Sequence, residues 1–274
     1  MKTLLHFILL VLILLFPRLS IAQLGKTLLT TAHSVGMGNA NVSLEGIDAL
    51  YSNPAGLIGL EKKTICLNSH WLYGVNELKP ISLGFVVPNS SGVIGFNLQH
   101  FGFESLKENT LNLVYARKLA AKLNGGIQFN YTNSRVINYE TRHAIGFSLG
   151  LNLLIINDLR LGIHIQNPFI FQKSETNNTP SVFRLGAAYT INKTVLLITE
   201  IYKDLNYKPS FRFGTEYKPS SKLIITGGFQ TRPNTISLGF GFWLSEKLRI
   251  ELAASSHSVL GITPALSIID VLKK

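Results

Sequence analysis

From about residue 64 to the end of the chain, apolar side chains recur at every second position over runs of eight to twelve residues, each closed by a turn signal. Ile81, Leu83, Phe85 and Val87 alternate with Ser82, Gly84 and Val86. Ile145, Phe147, Leu149, Leu151 and Leu153 alternate with Gly146, Ser148, Gly150 and Asn152, and Ile236, Leu238, Phe240, Phe242 and Leu244 with Ser237, Gly239, Gly241 and Trp243. A period of two marks strands with two chemically different faces. The pattern predicts fourteen strands, at 64–72, 80–88, 92–102, 109–118, 123–133, 143–155, 159–167, 181–189, 194–203, 208–218, 222–230, 234–244, 247–257 and 261–271. The alternation is least clear at 64–72, 194–203 and 261–271.

The second face decides the architecture. A soluble sandwich would carry Lys, Glu and Thr there; this chain carries Gly, Ser, Asn and Gln with a few Arg and Glu. That mixture suits the lining of a barrel whose outside is apolar. Closure also removes the open strand edges that hydrocarbon would not tolerate. A strand with its connection takes about 15 residues, which leaves the roughly ten a tilted strand needs to cross a bilayer. Connections at 89–91, 120–122, 156–158, 192–193, 220–221 and 245–246 are short. The intervening ones, at 73–79, 103–108, 134–142, 168–180 and 204–207, are mostly longer, with 231–233 an exception. Outer-membrane barrels keep their short turns in the periplasm, so strand 1 is expected to run outward. The expected fold is all-β: a 14-stranded antiparallel transmembrane β-barrel over 64–274.

The preceding residues read differently. Residues 1–22 have a positive start (Lys2), an apolar core at 4–16 broken only by His6, and the small-residue pattern Ser20-Ile21-Ala22 before Gln23. This is the form of a cleavable signal peptide, and the apolar core is too short to span a bilayer. Removing it takes out Lys2 and Arg18, leaving 24 basic against 15 acidic residues, a net charge of +9. An exported basic chain suits an anionic lipid face better than nucleic acid. Cys66 is the only cysteine, which excludes an internal disulfide and a cysteine metal cluster. Residues 23–63 lack period-two patterning and hold too little bulk for a core of their own. Two readings stand: a hatch folded into the lumen, or a periplasmic tail. Within them Asn53-Pro54-Ala55-Gly56 reads as a tight turn.

The run Gly36-x-Gly38-x-Ala40-x-Val42, followed by Asp48-Ala49-x-Tyr51-x-Asn53-Pro54-Ala55-Gly56-Leu57, resembles the N-terminal signature of the FadL-type superfamily. The version here is most similar to the PorV/PorQ-like proteins of Bacteroidota. The resemblance implies an N-terminal hatch in the lumen, carrying the motif residues Gly36, Gly38, Asn53, Pro54, Ala55 and Gly56, and a place in the outer membrane of a Gram-negative bacterium. FadL-type members pass fatty acids or other hydrophobic molecules; PorV-like members serve type IX secretion by binding proteins. Two departures stand out. The external loops are short for a FadL-type transporter, and the chain ends Ile268-Ile269-Asp270-Val271-Leu272-Lys273-Lys274, without the terminal aromatic usual in such barrels.

Seven polar side chains fall on the inward register: Arg160, His164, Arg184, Arg212, Glu216, Arg249 and Glu251. They form either a polar track, with arginines able to bind a carboxylate, or ion pairs that pack the lumen. His70, His100, His143, His164 and His257 are scattered over different strands without metal-ligand spacing. No phosphate-binding loop is present, and Gly36–Gly38 follows no strand. An enzyme, a cofactor and a nucleic-acid partner are therefore not expected. The expected partners are outer-membrane lipids with either a hydrophobic small-molecule ligand or secretion-system proteins. Transport predicts an apolar pocket between hatch and wall and a lateral opening or kinked strand, with Pro80, Pro168 and Pro209 near strand ends and the pairs Gly125-Gly126 and Gly227-Gly228 within strands as candidate bulge sites. The secretion alternative predicts a lumen sealed by the hatch and a binding surface on 134–142 and 168–180.

Overall fold

The structure, a computed structural model, describes residues 29–139, 141–168 and 180–272. The signal-peptide reading of 1–22 and most of the connection at 168–180 lie outside the described residues. Among the described residues fourteen strands close into one barrel, each hydrogen-bonded to its neighbours in sequence order. They are β1 (Thr64–His70), β2 (Ile81–Asn89), β3 (Gly92–Phe103), β4 (Leu106–Ala120), β5 (Leu123–Val136), β6 (Arg142–Ile156), β7 (Leu159–Gln166), β8 (Val182–Ile191), β9 (Val195–Asp204), β10 (Ser210–Ser220), β11 (Leu223–Thr231), β12 (Asn234–Trp243), β13 (Leu248–His257) and β14 (Gly261–Val271). The antiparallel pairing of β1 with β14, from Thr64 opposite Val271 to His70 opposite Ala265, closes the ring. β14 thus forms the seam with β1.

The alternation read from the sequence sorts correctly into outside and inside. Ile81, Leu83 and Phe85 are exposed on the outer wall while Ser82 and Val86 are buried within, and Ile236, Leu238, Phe240 and Phe242 face out where Thr235 and Ser237 face in. The outer wall is therefore an apolar belt. No helix among the described residues is long and apolar enough to cross a membrane.

Two details differ from the sequence reading. β4 begins at Leu106 and β5 runs to Val136, so the β3–β4 connection is only 104–105 and the β5–β6 connection only 137–141. Lys107 and Glu108 look like loop residues in sequence, but their backbones pair across to Gly102 and Phe101 on one side and to Arg135 and Ser134 on the other. Nor do the glycine pairs mark bulges. The ladder runs unbroken through Gly125-Gly126 and Gly227-Gly228. The register shifts among the described residues sit beside short turns, at Lys118/Ala120, Leu154/Ile156 and Tyr217/Ser220.

Residues 29–57 are nearly all buried inside the barrel, whereas Gly59 and 61–63 are exposed. A short helix, α1 (Ala32–Gly36), packs on β11 to β14, and a 3-10 turn over Pro54–Gly59 packs on β3 to β6. Thr31 caps α1 by accepting from the Ser34 N–H. Pro54 opens the second turn, its fixed φ suiting the first position.

Candidate functional site

The N-terminal segment meets the wall through glycines on both sides. A Cβ at Gly38 would stand 2.6 Å from the Phe229 nitrogen and 2.9 Å from the Phe213 oxygen, and its φ of +63° is itself a glycine conformation. A side chain at Gly36 would run into Thr226. From the wall, Gly228 leaves room for Met37 and Gly38, Gly126 and Gly150 for Pro54, Gly162 for Val42 and Ser43, and Gly84 and Gly95 for Leu50. Glycine at these inward positions lets two backbones touch, which explains their number better than general crowding.

The Asn53 to Gly56 turn is pinned to β6. The Asn53 side chain accepts from the Ala55 N–H at 3.2 Å and donates to the Val42 oxygen at 2.8 Å, to the Leu151 oxygen at 3.1 Å and to Asn152 Oδ1 at 2.8 Å. The Gly46 N–H donates to the Gly56 oxygen at 3.0 Å, folding 44–46 over the turn. Beyond it lies an apolar seat: Ile47, Ala49, Leu50 and Leu57 pack with Cys66, Val86, Val93, Val114, Ala116 and Ile269 of the wall.

The opposite side is ionic. Buried Glu200 on β9 accepts from Arg184 at 2.8 and 2.9 Å, from Arg212 at 3.1 Å, and from the backbone N–H groups of Asn41 and Val42 at 2.9 Å each. Arg212 also donates to the Asn39 oxygen at 3.1 Å and lies 3.9 Å over the Tyr202 ring, and Arg184 donates to the Asn41 side chain. One carboxylate thus joins two wall arginines to the segment's backbone.

A second cluster surrounds His33. Its Nε2 lies 2.8 Å from Glu216 and its Nδ1 3.2 Å from Asp48. Burial alone would push the imidazole down, but the flanking carboxylates outweigh it and hold His33 well above its ordinary value. Asp48 is correspondingly held well below the usual carboxylate range: burial opposes this, and His33 overcomes it with help from Thr31 and Arg249. Ser34 donates to Asp48 at 2.9 Å, Lys218 meets Glu216 at 2.7 Å, and Arg249 meets Glu251 at 2.9 Å.

All seven residues of the expected track face inward, but six are spent on partners rather than lined up. Arg184 and Arg212 converge on Glu200; Glu216, Arg249 and Glu251 gather around His33; and Arg160 stands apart, paired with Glu45 at 3.0 Å. His164 is buried with neither ring nitrogen hydrogen-bonded. Sequence reasoning missed Glu200, Asp48, His33 and Glu45. Glu200 follows an apolar run, Val195 to Ile198, that masks the strand's alternation.

The space left in the lumen differs between its two ends. A cavity of about 50 Å³ faces His164, Gln128, Asn130, Asn112, Gln166 and Arg184 on the side of the longer connections. On the short-turn side, beneath 44–48, a vestibule of about 420 Å³ has a mixed lining, with Glu45, Arg160, Lys193 and Lys218 beside Leu44, Ile47, Leu196 and Ile269. Neither is the apolar pocket between segment and wall that transport predicted. The first is well below the about 150 Å³ of an apolar cavity known to admit benzene. An apolar groove of about 590 Å³ does exist, but on the outer wall, over Leu67, Ile81, Leu83, Leu98, Leu111 and Tyr131.

No protein-family model matches this sequence, and no curated protein matches it. Its fold matches solved barrels along nearly their whole length. The toluene transporter TbuX of Ralstonia pickettii is similar with a TM-score of 0.68 at 13% identity, over 89% of this chain and 98% of its own. The toluene transporter TodX of P. putida gives 0.68 at 14% identity, over 91% and 100%. A FadL homologue of Pseudomonas aeruginosa gives 0.66 at 10% identity, over 89% and 99%. At these identities the likeness is one of fold alone: a closed antiparallel barrel.

Proposed function

We propose that this chain is an outer-membrane transport barrel that admits hydrophobic small molecules, and that the structure is its shut form. In this reading residues 1–22 direct export, residues 23–63 are a hatch, and 64–274 are the channel wall. The observation that carries it is the seating of residues 29–60 across the lumen, against inward glycines on opposite sides, with about 50 Å³ left on the outer side. A wall that spends glycines on a close fit, and buried charges on holding it, is built around an insert that can release. The hydrophobic substrate is supported by the named activities of the fold's neighbours, a toluene transporter and a monoaromatic hydrocarbon channel among them, and by the apolar groove on the outer wall. The small polar space on the side of the longer connections means that such a molecule needs the hatch displaced, or a way through the wall, before it can pass.

The test is uptake by cells with an intact outer membrane, with and without the protein. Faster entry of toluene and of a long-chain fatty acid, with no change for a sugar of similar mass, is expected. Faster entry of the sugar alone would replace this reading with a polar-solute pore. The secretion-accessory alternative also expects a filled lumen, so that feature does not separate the two. Nothing specific supports the alternative, since its expected surface at 134–142 shrinks to the connection between β5 and β6 and 169–179 lie outside the described residues.

A further inference from the structure

The outer wall of β1 to β6 is layered more sharply than an apolar belt requires. Leu67, Leu83, Leu98, Leu111 and Tyr131 stand directly opposite one another, strand by strand, in one outward row. They make the floor of the 590 Å³ groove. One step along the strands, about 7 Å toward the longer connections, the next row is Ile81, His100, Asn109, Asn133 and His143. This row is polar beyond Ile81 and internally bonded: His100 meets Asn109 at 2.8 Å, and His143 meets the Tyr131 hydroxyl at 2.8 Å and Asn133 at 3.3 Å. One further step brings Lys107 directly opposite Arg135, both exposed.

Like charges opposite one another weaken a strand pair. Here neither Lys107 nor Arg135 has an ion pair or hydrogen bond among the described residues. Glu108, the nearest acid in sequence, alternates to the lumen side. Elsewhere on the same rim Lys203 stands opposite Phe183, not opposite another cation. Chain, polar neck and anionic head of a lipid would meet the three rows in that order, and an anion on Lys107 and Arg135 would relieve their repulsion.

We propose that this face holds a phosphorylated lipid of the outer leaflet, with an acyl chain in the Leu67–Tyr131 groove and a phosphate between Lys107 and Arg135. The proposal rests on the outer-membrane placement of the barrel and not on what passes through it. Binding is read by native mass spectrometry of the detergent-released barrel, offered equal amounts of lipid A and phosphatidylethanolamine. The unsubstituted barrel is expected to keep one lipid A in preference. K107Q/R135Q should lose that preference by tenfold or more, since each basic residue near a membrane surface is worth about a factor of five. Leu98→Trp, which fills the groove, should lose retention while the barrel still migrates as folded on an unheated gel. Equal retention of the two lipids by the unsubstituted barrel, or undiminished lipid A on K107Q/R135Q, overturns the proposal. So does full retention on Leu98→Trp. Retention of neither lipid overturns it and the membrane placement together.

Discussion

The N-terminal segment is held on one side of the lumen by a large apolar corner and on the other by buried ionic clusters added to smaller apolar contacts. Toward β1 to β4 and β14, Ile47, Leu50 and Leu57 sit in an apolar corner with Cys66, Val86 and Val114. Toward β8 to β13, residues 31–45 rest on Glu200, Arg184, Arg212, Glu216 and Glu251, beside smaller apolar contacts of Met37, Ala40 and Leu44 with Ala188 and Ile198 and of Ala32 and Val35 with Ala253. Apolar contact is non-directional and degrades gradually as surfaces separate. A buried ionic cluster is all or nothing: desolvation offsets most of its attraction, and removing one partner leaves an uncompensated charge. On the proposed function, the apolar corner serves as an anchor and the ionic side as a latch whose release would leave the wall folded.

The largest expected effect is on the latch. Glu200→Gln leaves Arg184 and Arg212 buried without their carboxylate, a loss of about 3–5 kcal/mol. Residues 31–45 should become sensitive to protease in the folded barrel and the channel should conduct. Leu50→Ala, in the anchor, should cost a similar about 2–5 kcal/mol but show as a lower unfolding temperature with conductance unchanged. If the two variants behave alike, the division into latch and anchor is wrong.

Next comes the fit between backbones. Gly38→Ala puts a Cβ 2.6 Å from the Phe229 nitrogen in a left-handed conformation, where an L-residue costs about 1–2 kcal/mol before any clash. The expected result is raised protease sensitivity near residue 38, with a smaller conductance gain than Glu200→Gln.

The pH response separates the two sides further. Because His33 is raised in the fold, its contribution is complete below the ordinary imidazole value of about 6.5 and is lost as pH rises through the raised value. Asp48 is lowered, so its contribution is present above the ordinary value of about 3.9 and is lost only as pH falls through the lowered one. The latch should hold from acid through neutral pH and loosen on the alkaline side, as a rise in conductance. His33→Gln should flatten that rise, whereas Leu50→Ala should keep it. The smallest effect belongs to Arg160→Gln. Its pair with Glu45 is partly exposed and worth about 0–1 kcal/mol, so conductance and thermal stability should barely move.

Much of this wall was legible in the chain because its two faces differ chemically at every step. Even β1, β9 and β14, where alternation is faint, fall close to their expected bounds, since closure needs them. The inward direction of Arg184, Arg212 and Glu251 follows from the same period. What they bind does not. Glu200 meets Asn41 and Val42 from far along the sequence, and no local pattern records that. The glycine pairs misled for a related reason: Gly126 and Gly228 look like strand breakers until the segment they accommodate is in place, when they become points of contact.

The central claim, that residues 29–60 shut the lumen, is tested most directly by planar-bilayer conductance of the mature barrel beside a variant lacking residues 23–60. The account predicts an almost silent intact barrel and steady, long-lived openings in the shortened one, with both migrating as folded barrels. Equal conductance in the two would contradict it, because the segment would then occupy the lumen without closing it.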